Sequence, residues 1–282
     1  MTQGFIIQAQ SETDRKQALA LAYSIKTSNP EASISLVCGD LNKIETKHEE
    51  PFDNIVEYPF SNKSNPRLND WQCWWVTPYE ESIVIDCACI VNQDLTTVWD
   101  YLSHNYELCF PGTIKDFRHQ IVKQDKRHEF LEEYKLKSVH TAWFYFKKNN
   151  STMDYFKLAD PYMQNYIELF KHKFQPQHLP DDYVSDIMHG IVVNDMALEN
   201  VTDKNLNYID MDIVSDYFRN KADKWTDYLN VWSRDNGTVK IQNYATTGIL
   251  FYKESDFLTE DIFNGQRDSY RLQTKVLRQV QQ

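Results

Sequence analysis

The stretch YEESIVIDCACIVNQDLTTVWD, residues 79–100, decides how this chain is read. Residues 82–85 form a short β-branched apolar run, the composition of a strand buried on both faces of a parallel sheet. The run ends at Asp86, a carboxylate placed where the strand leaves the sheet. Open α/β sheets bind ligands just outside the carboxyl ends of their strands, so Asp86 is either a site residue or the simple cap of a strand. A second apolar patch covers 89–91, and Asn92-Gln93-Asp94-Leu95 leads into an expected helix over 96–102 with Thr96 or Thr97 as its N-cap.

Upstream, residues 4–9 (GFIIQA) read as a first buried strand. Ala18, Leu21, Ala22 and Ile25 then fall on one helical stripe within 11–28, with Ser11 or Thr13 as N-cap and Asn29-Pro30 as the stop. Residues 34–38 (ISLVC) give a second strand, closed by Gly39-Asp40. Strand, helix and strand in succession make a βαβ unit of the kind that opens a nucleotide-binding half-sheet, although GxGxxG is absent. Residues 53–59 form a third short strand. In 65–75 (NPRLNDWQCWW), Trp71, Trp74 and Trp75 are spaced to share one face of a helix packed beneath the sheet. Arg67, just before that helix, is a surface arginine or a partner for a diphosphate.

Downstream, 106–110 (YELCF) reads as a strand and Pro111-Gly112 as a turn. Between 115 and 148 there are nine Lys or Arg against five acids, which is either a solvated helical face or a polyanion-binding surface. Residues 138–148 (SVHTAWFYFKK) are strand-like, and 153–173 is an amphipathic helix that Pro161 kinks or splits. Asp186 opens a further helix, where a first-turn carboxylate also has an ordinary stabilising role of roughly 0.3–1 kcal/mol. Residues 206–211 form a strand and 238–251 a hairpin, Trp225 and Trp232 belong to an aromatic helix or loop, and the polar tail is helical and docks late.

Composition narrows the class. The 282 residues, 41% hydrophobic and 25% charged, describe a globular chain, and no apolar run reaches the roughly 20 residues of a membrane span. The N-terminus lacks the basic and apolar regions of a signal peptide, so a cytoplasmic location is expected. A net charge of −11 disfavours wholesale nucleic-acid binding. The five cysteines (38, 73, 87, 89 and 109) have no zinc-like spacing and read as buried reduced thiols.

The segment 79–100 resembles the part of GT-A glycosyltransferases in which a strand ends in Asp-x-Asp. Taken with LNDWQCWWVTPYEESIVIDCACI (68–90), HTAWFYFKK (140–148), LPDDYVSD (179–186) and NYATTGILFYKESDFLTEDIF (243–263), the chain is similar to the glycogenin and bacterial galactosyltransferase group. More narrowly, it is similar to glycosyltransferase-like proteins of large tailed bacteriophages. The resemblance implies one GT-A-like domain over 1–265, an α/β fold with a mixed, mostly parallel sheet flanked by helices, and a polar tail over 266–282. It implies transfer of a sugar from a nucleotide-diphosphate donor, a UDP-sugar first among them, to a hydroxyl acceptor. For phages of that kind the acceptor is a hydroxylated or hydroxymethylated pyrimidine of DNA; a glycan or small molecule is the rival.

The same resemblance assigns a Mn²⁺ or Mg²⁺ site to Asp86, Asp210 and Asp212, with Asp210 where the family often has a histidine. The triplet here is Asp86-Cys87-Ala88, so the second carboxylate of the pattern is Ala88. Gln8, Ala9 and Asp14 are carried over to the base and ribose, Arg67 and Ala88 to the diphosphate, and Asp186 to the sugar or the acceptor. The loss of the second aspartate also leaves room for a non-catalytic binder on the same fold.

Overall fold

The computed structural model describes residues 2–39, 51–60, 65–122, 131–174, 183–211, 229–234 and 236–280. Expectations that fall on Asp40, on 179–182, on Asp212 or on Trp225 lie outside the described residues.

The first βαβ unit forms as its sequence dictates. Strand β1 (Gln3–Gln8) leads into helix α1 (Glu12–Ser28). Ser11 caps that helix: its hydroxyl accepts the Asp14 N–H while the Asp14 carboxylate accepts the Ser11 N–H, a reciprocal capping box. Strand β2 (Ile34–Cys38) and strand β3 (Asn54–Glu57) follow, both parallel to what precedes them in the sheet. A 3₁₀ helix (Pro66–Gln72) then runs into the single turn α2 (Cys73–Val76). The tryptophan segment is thus a 3₁₀-to-α junction, with Trp71 and Trp75 packed edge to face and Phe60 stacked on Trp71.

Strands β4 (Glu81–Ile85) and β5 (Cys89–Val91) flank Asp86. Helix α3 (Thr96–Asn105) takes its first-turn hydrogen bond from Asp94, whose carboxylate accepts both the N–H and the hydroxyl of Thr96. Strand β6 (Leu108–Lys115) runs straight through Pro111-Gly112, where the sequence reads as a turn. A register shift against the partner strand between Pro111 and Thr113 makes this possible, because a bulge tolerates a residue without an N–H. Gly112 is required there: a Cβ would sit 2.8 Å from the Asp203 backbone.

Strand β7 (Trp143–Lys147) is followed by α4 (Asn150–Gln164) and α5 (Tyr166–Lys173), so the helix expected around Pro161 is split just after it. Helix α6 (Ser185–Asp195) and strand β8 (Thr202–Asp210) come next. Strands β9 (Val231–Ser233), β10 (Val239–Ile241) and β11 (Tyr244–Ala245) make a small antiparallel sheet, of which β10–β11 is the expected hairpin. Strand β12 (Ile249–Phe251) returns to the main sheet, and α7 (Glu260–Val280) closes the chain.

Among the described residues the main sheet has the order β3-β2-β1-β4-β7-β6-β8-β12-β5. Only β7 and β5 pair antiparallel with their neighbours, so the expected mixed, mostly parallel sheet is what forms. Two apolar layers follow from the two-residue period of its strands. Phe5, Ile7, Ile83, Ile85, Trp143 and Tyr145 face a layer shared with α1, α3 and α7. Their neighbours Ile6, Val84, Phe144 and Phe146 face α4 and α6 on the other side. Burying each such side chain is worth about 1.5–3 kcal/mol, which is ample reason for the strand register to hold. No helix among the described residues is long and apolar enough to cross a membrane.

Candidate active site

The strand order reverses at β1. The chain leaves it toward β2 and β3 on one side, then returns to place β4 on the other. Such a switch point leaves a crevice beyond the carboxyl ends of the two strands. A cleft of about 210 Å³ lies there, lined by Gln8 from the end of β1 and by Asp86 from the end of β4. Asp14, Gln17, Arg67, Asp70, Thr141 and Lys253 complete its polar wall. The volume is below the roughly 300–1,000 Å³ of sites that enclose a drug-sized ligand.

Asp86 faces this cleft with a side chain 10% exposed. Its Oδ2 accepts the Arg67 Nε–H at 2.7 Å and its Oδ1 accepts the Ala88 N–H at 2.9 Å. Arg67 is held from several directions. Its N–H is capped by Asn65, its carbonyl accepts the Tyr183 hydroxyl, and its guanidinium lies over the Phe251 ring. Burial opposes the charge on Arg67, yet the adjoining Asp86 carboxylate more than compensates, so its pKa is raised above the ordinary arginine value. No acceptor among the described residues bonds the two Nη atoms.

Beneath the cleft lies a buried polar knot centred on Asp70. Its Oδ1 accepts the Gln8 amide at 2.6 Å, and its Oδ2 accepts the Ser185 hydroxyl at 2.9 Å and faces His189 Nε2 at 3.2 Å. Tyr58 donates to the Gln8 carbonyl oxygen, so Gln8 is fixed at both ends of its amide. Burial, reinforced by the charge of Asp70, pushes the Tyr155 hydroxyl far above its ordinary pKa. Tyr155 therefore keeps its proton, and its hydroxyl is hydrogen-bonded to His189 Nδ1 while His189 Nε2 faces Asp70. Asp70, His189, Gln17 and Lys253 carry no site signal in the sequence; Asp70 sits inside the tryptophan motif without a visible partner.

The remaining candidate residues take these places. Asp14 lines the cleft but commits Oδ2 to the N–H groups of Gln10 and Ser11 at the start of α1. Ala9 is buried and continues the β1–β2 ladder through its N–H. Asp186 stands one layer back, accepting both the N–H and the hydroxyl of Thr141, with His140 Nδ1 at 3.7 Å from its other oxygen. Thr141, which it orients, lines the cleft. Asp210 ends β8 fully buried, paired with Phe251 in the sheet, and Asp212 lies outside the described residues.

Among the described residues the cleft brings no second expected metal ligand beside Asp86, and Asp212 lies outside them. Both Asp86 oxygens accept from groups of the chain itself, position 88 offers only a methyl group, and Asp210 is not in the cleft lining. Among the described residues no three His, Cys, Asp or Glu side chains are placed to share a metal.

Four cations of the basic stretch have local partners among the described residues. Arg118 pairs with Asp116, Lys137 donates to the carbonyl of Leu198, Lys147 pairs with Glu107 and Lys148 donates to the Thr77 carbonyl. The five cysteines are buried free thiols, as the sequence implies.

No family model matches the sequence, and no curated protein matches it. Among solved structures the chain is similar to the galactosyltransferase LgtC in complex with donor and acceptor sugar analogues. That match has 11% identity and a TM-score of 0.53, and covers 94% of this chain and 95% of LgtC. An active-site mutant of LgtC matches with a TM-score of 0.47 at 11% identity over 89% of this chain and 87% of the other. The glycosyltransferase GlyE of Streptococcus pneumoniae TIGR4 matches with a TM-score of 0.46 at 10% identity over 78% of this chain. The chain spans half the length of GlyE. At such identity the LgtC match speaks to architecture alone, and the architecture is that of GT-A glycosyltransferases.

Proposed function

We propose that this chain is a glycosyltransferase that moves a sugar from a nucleotide-diphosphate donor, UDP-sugars being the first candidates, to a hydroxyl acceptor. The observation that carries the reading is the cleft at the switch point of a GT-A sheet, with a guanidinium fixed beside the carboxylate that ends β4. In the reaction the bond from sugar C1 to the β-phosphate oxygen breaks and one from C1 to the acceptor oxygen forms. The acceptor loses its hydroxyl proton, and the nucleoside diphosphate departs with added negative charge. Preorganised donors aimed at that charge are what such a site must supply, and Arg67 is positioned as one. Thr141, whose hydroxyl donates to Asp186, lines the same cleft with an oxygen that can accept from the sugar.

Support for a DNA acceptor is lacking, and four cations of the basic stretch, Arg118, Lys137, Lys147 and Lys148, are tied to local partners. The phage kinship rests on sequence motifs only. A second reading, a donor-binding protein without turnover, draws on one observation, the alanine at position 88.

A thermal-shift panel of UDP-, GDP-, ADP- and TDP-sugars tests both readings. A bound donor at about 100 times its Kd should add about 2.7 kcal/mol of stability. A shift accompanied by slow donor hydrolysis is the expected result. A shift with no release of nucleotide, across a panel of glycan acceptors, would favour the binder. No shift with any donor would remove the transferase.

A further inference from the structure

The cleft carries a second reading that rests on the donor assignment above and deepens it. We propose that the diphosphate is held by side-chain donors of this chain in place of a divalent cation: Arg67 and Lys253 as the charges and Gln17 as a neutral donor.

Position 88 is where the argument turns. A metal-binding pattern needs a second carboxylate there, and the chain has Ala88, 4% exposed. The Ala88 carbonyl accepts the N–H of Tyr252 at 2.9 Å, which ties the end of β12 to the spot where that carboxylate is missing. The next residue is Lys253, and it lines the cleft. A lysine is thus delivered beside the position from which an acid has gone.

Its backbone is not the relaxed choice for a lysine. Lys253 has φ +46°, the left-handed region, at the centre of a tight turn closed by a bond from the Glu254 N–H to the Tyr252 carbonyl. Strain of this kind in a non-glycine residue clusters at ligand sites, where the surroundings over-determine it. Here the surroundings are the β12 pairing on one side and the Ala88 carbonyl on the other.

The hydrogen-bonding capacity left in the cleft points the same way. Three carboxylates line it, so formal charge alone would not invite an anion. Asp86 accepts from Arg67 and Ala88, Asp70 from Gln8 and Ser185, and Asp14 from the first N–H groups at the start of α1. What remains uncommitted is donor-rich. The Arg67 Nη atoms bond no acceptor among the described residues. Among the described residues the Gln17 amide nitrogen has no hydrogen-bond partner, although the residue is 5% exposed. Buried donors are ordinarily satisfied, and a group rich in acceptor oxygens, as a diphosphate is, would satisfy this one.

The test is calorimetric titration of the full chain with UDP and with inorganic pyrophosphate, each in EDTA and again in Mn²⁺. The variants are Lys253→Asn, Lys253→Arg and Gln17→Leu. Asparagine tolerates the left-handed backbone, so Lys253→Asn removes the charge and leaves the turn in place. Wild-type affinity should agree between EDTA and Mn²⁺ within about twofold, while Lys253→Asn loses about tenfold or more and Lys253→Arg recovers most of it. Pyrophosphate binding without UDP binding also supports the anchor and assigns a different base. Binding that requires Mn²⁺ overturns the metal-free anchor and leaves the transferase reading standing. Unchanged binding by both Lys253→Asn and Gln17→Leu overturns the assignment of these residues. Failure of both ligands to bind under every condition removes this inference together with the donor reading beneath it.

Discussion

Replacing Asp70 by asparagine changes one atom's hydrogen-bonding sense at the bottom of the cleft, and the structure fixes what should follow. The carboxylate, 5% exposed, accepts from Gln8, Ser185 and His189. Asparagine has the same shape but keeps a single acceptor oxygen, so its new NH₂ must point at Gln8 or at the Ser185–His189 pair. Toward Gln8 donor meets donor; toward the other side Ser185 and His189 must both turn from donating to accepting. A hydrogen bond to a charged group is worth about 1.5–3 kcal/mol, and a stranded buried donor costs about 1–3 kcal/mol. Removing the buried charge relieves some desolvation, which brings the expected loss to about 2–4 kcal/mol. At roughly 2–4 °C of Tm per kcal/mol, the midpoint should fall by about 4–16 °C. Urea titration followed by far-UV circular dichroism measures this, with an unchanged slope showing that the unfolded state is the same. A loss below about 0.5 kcal/mol would show that the knot around Asp70 is not a set of real hydrogen bonds, and the fixed orientation of Gln8 would go with it.

Three further outcomes are expected. Gly4→Ala puts a Cβ 2.3 Å from the Tyr79 ring, which is itself held by hydrogen bonds to Ser35 and Asn54. Overpacking there should cost about 1–3 kcal/mol by the same urea assay, and a neutral result would mean the ring moves freely. Asp203 is buried, which opposes its charge, but hydrogen bonds from Tyr101, the Asn205 N–H and Tyr106 prevail and hold its pKa below the ordinary 3.8. Its contribution is therefore complete above that value and lost as pH falls through the folded pKa. Asp203→Asn should flatten the stability–pH curve in that acid window, and an unaltered curve would contradict the assignment. Burial holds the Cys73, Cys87 and Cys89 thiols well above their usual range, and Cys109 is pushed up to about 12. All five cysteines should resist a thiol reagent at neutral pH until the chain is denatured, and rapid labelling of the native protein would show the packing to be wrong.

How much of this was legible beforehand depends on distance along the chain. The capping box at Ser11, the buried run of β4 and the alternation in β7 are local patterns, and each was readable from neighbouring residues. The Pro111-Gly112 step was misread because the permission for it comes from outside: the bulge and the close Asp203 backbone belong to β8, far along the chain. In the cleft, Asp86 and Arg67 were both named, and the structure joins them into one ion pair. Asp70 and His189, 119 positions apart, carry no periodicity or motif that links them, so nothing short of the fold could pair them. Lys253 carries no signal for the same reason, since its place in the cleft follows from the backbone bond of its neighbour Tyr252 to Ala88.

That single bond also sets an order of events during synthesis. The near wall of the cleft, from Gln8 to Asp86, leaves the ribosome early, whereas its far wall arrives only with β12 and the turn after it. Until about nine-tenths of the chain has emerged, the Asp86–Arg67 pair faces an open flank, and a nascent chain can capture no donor. Competence to bind should therefore appear in one late step, and any lesion that unpairs β12 from β8 should abolish it and release β5, whose sheet partner is β12, while β1 to β4, β6 and β7 stay paired.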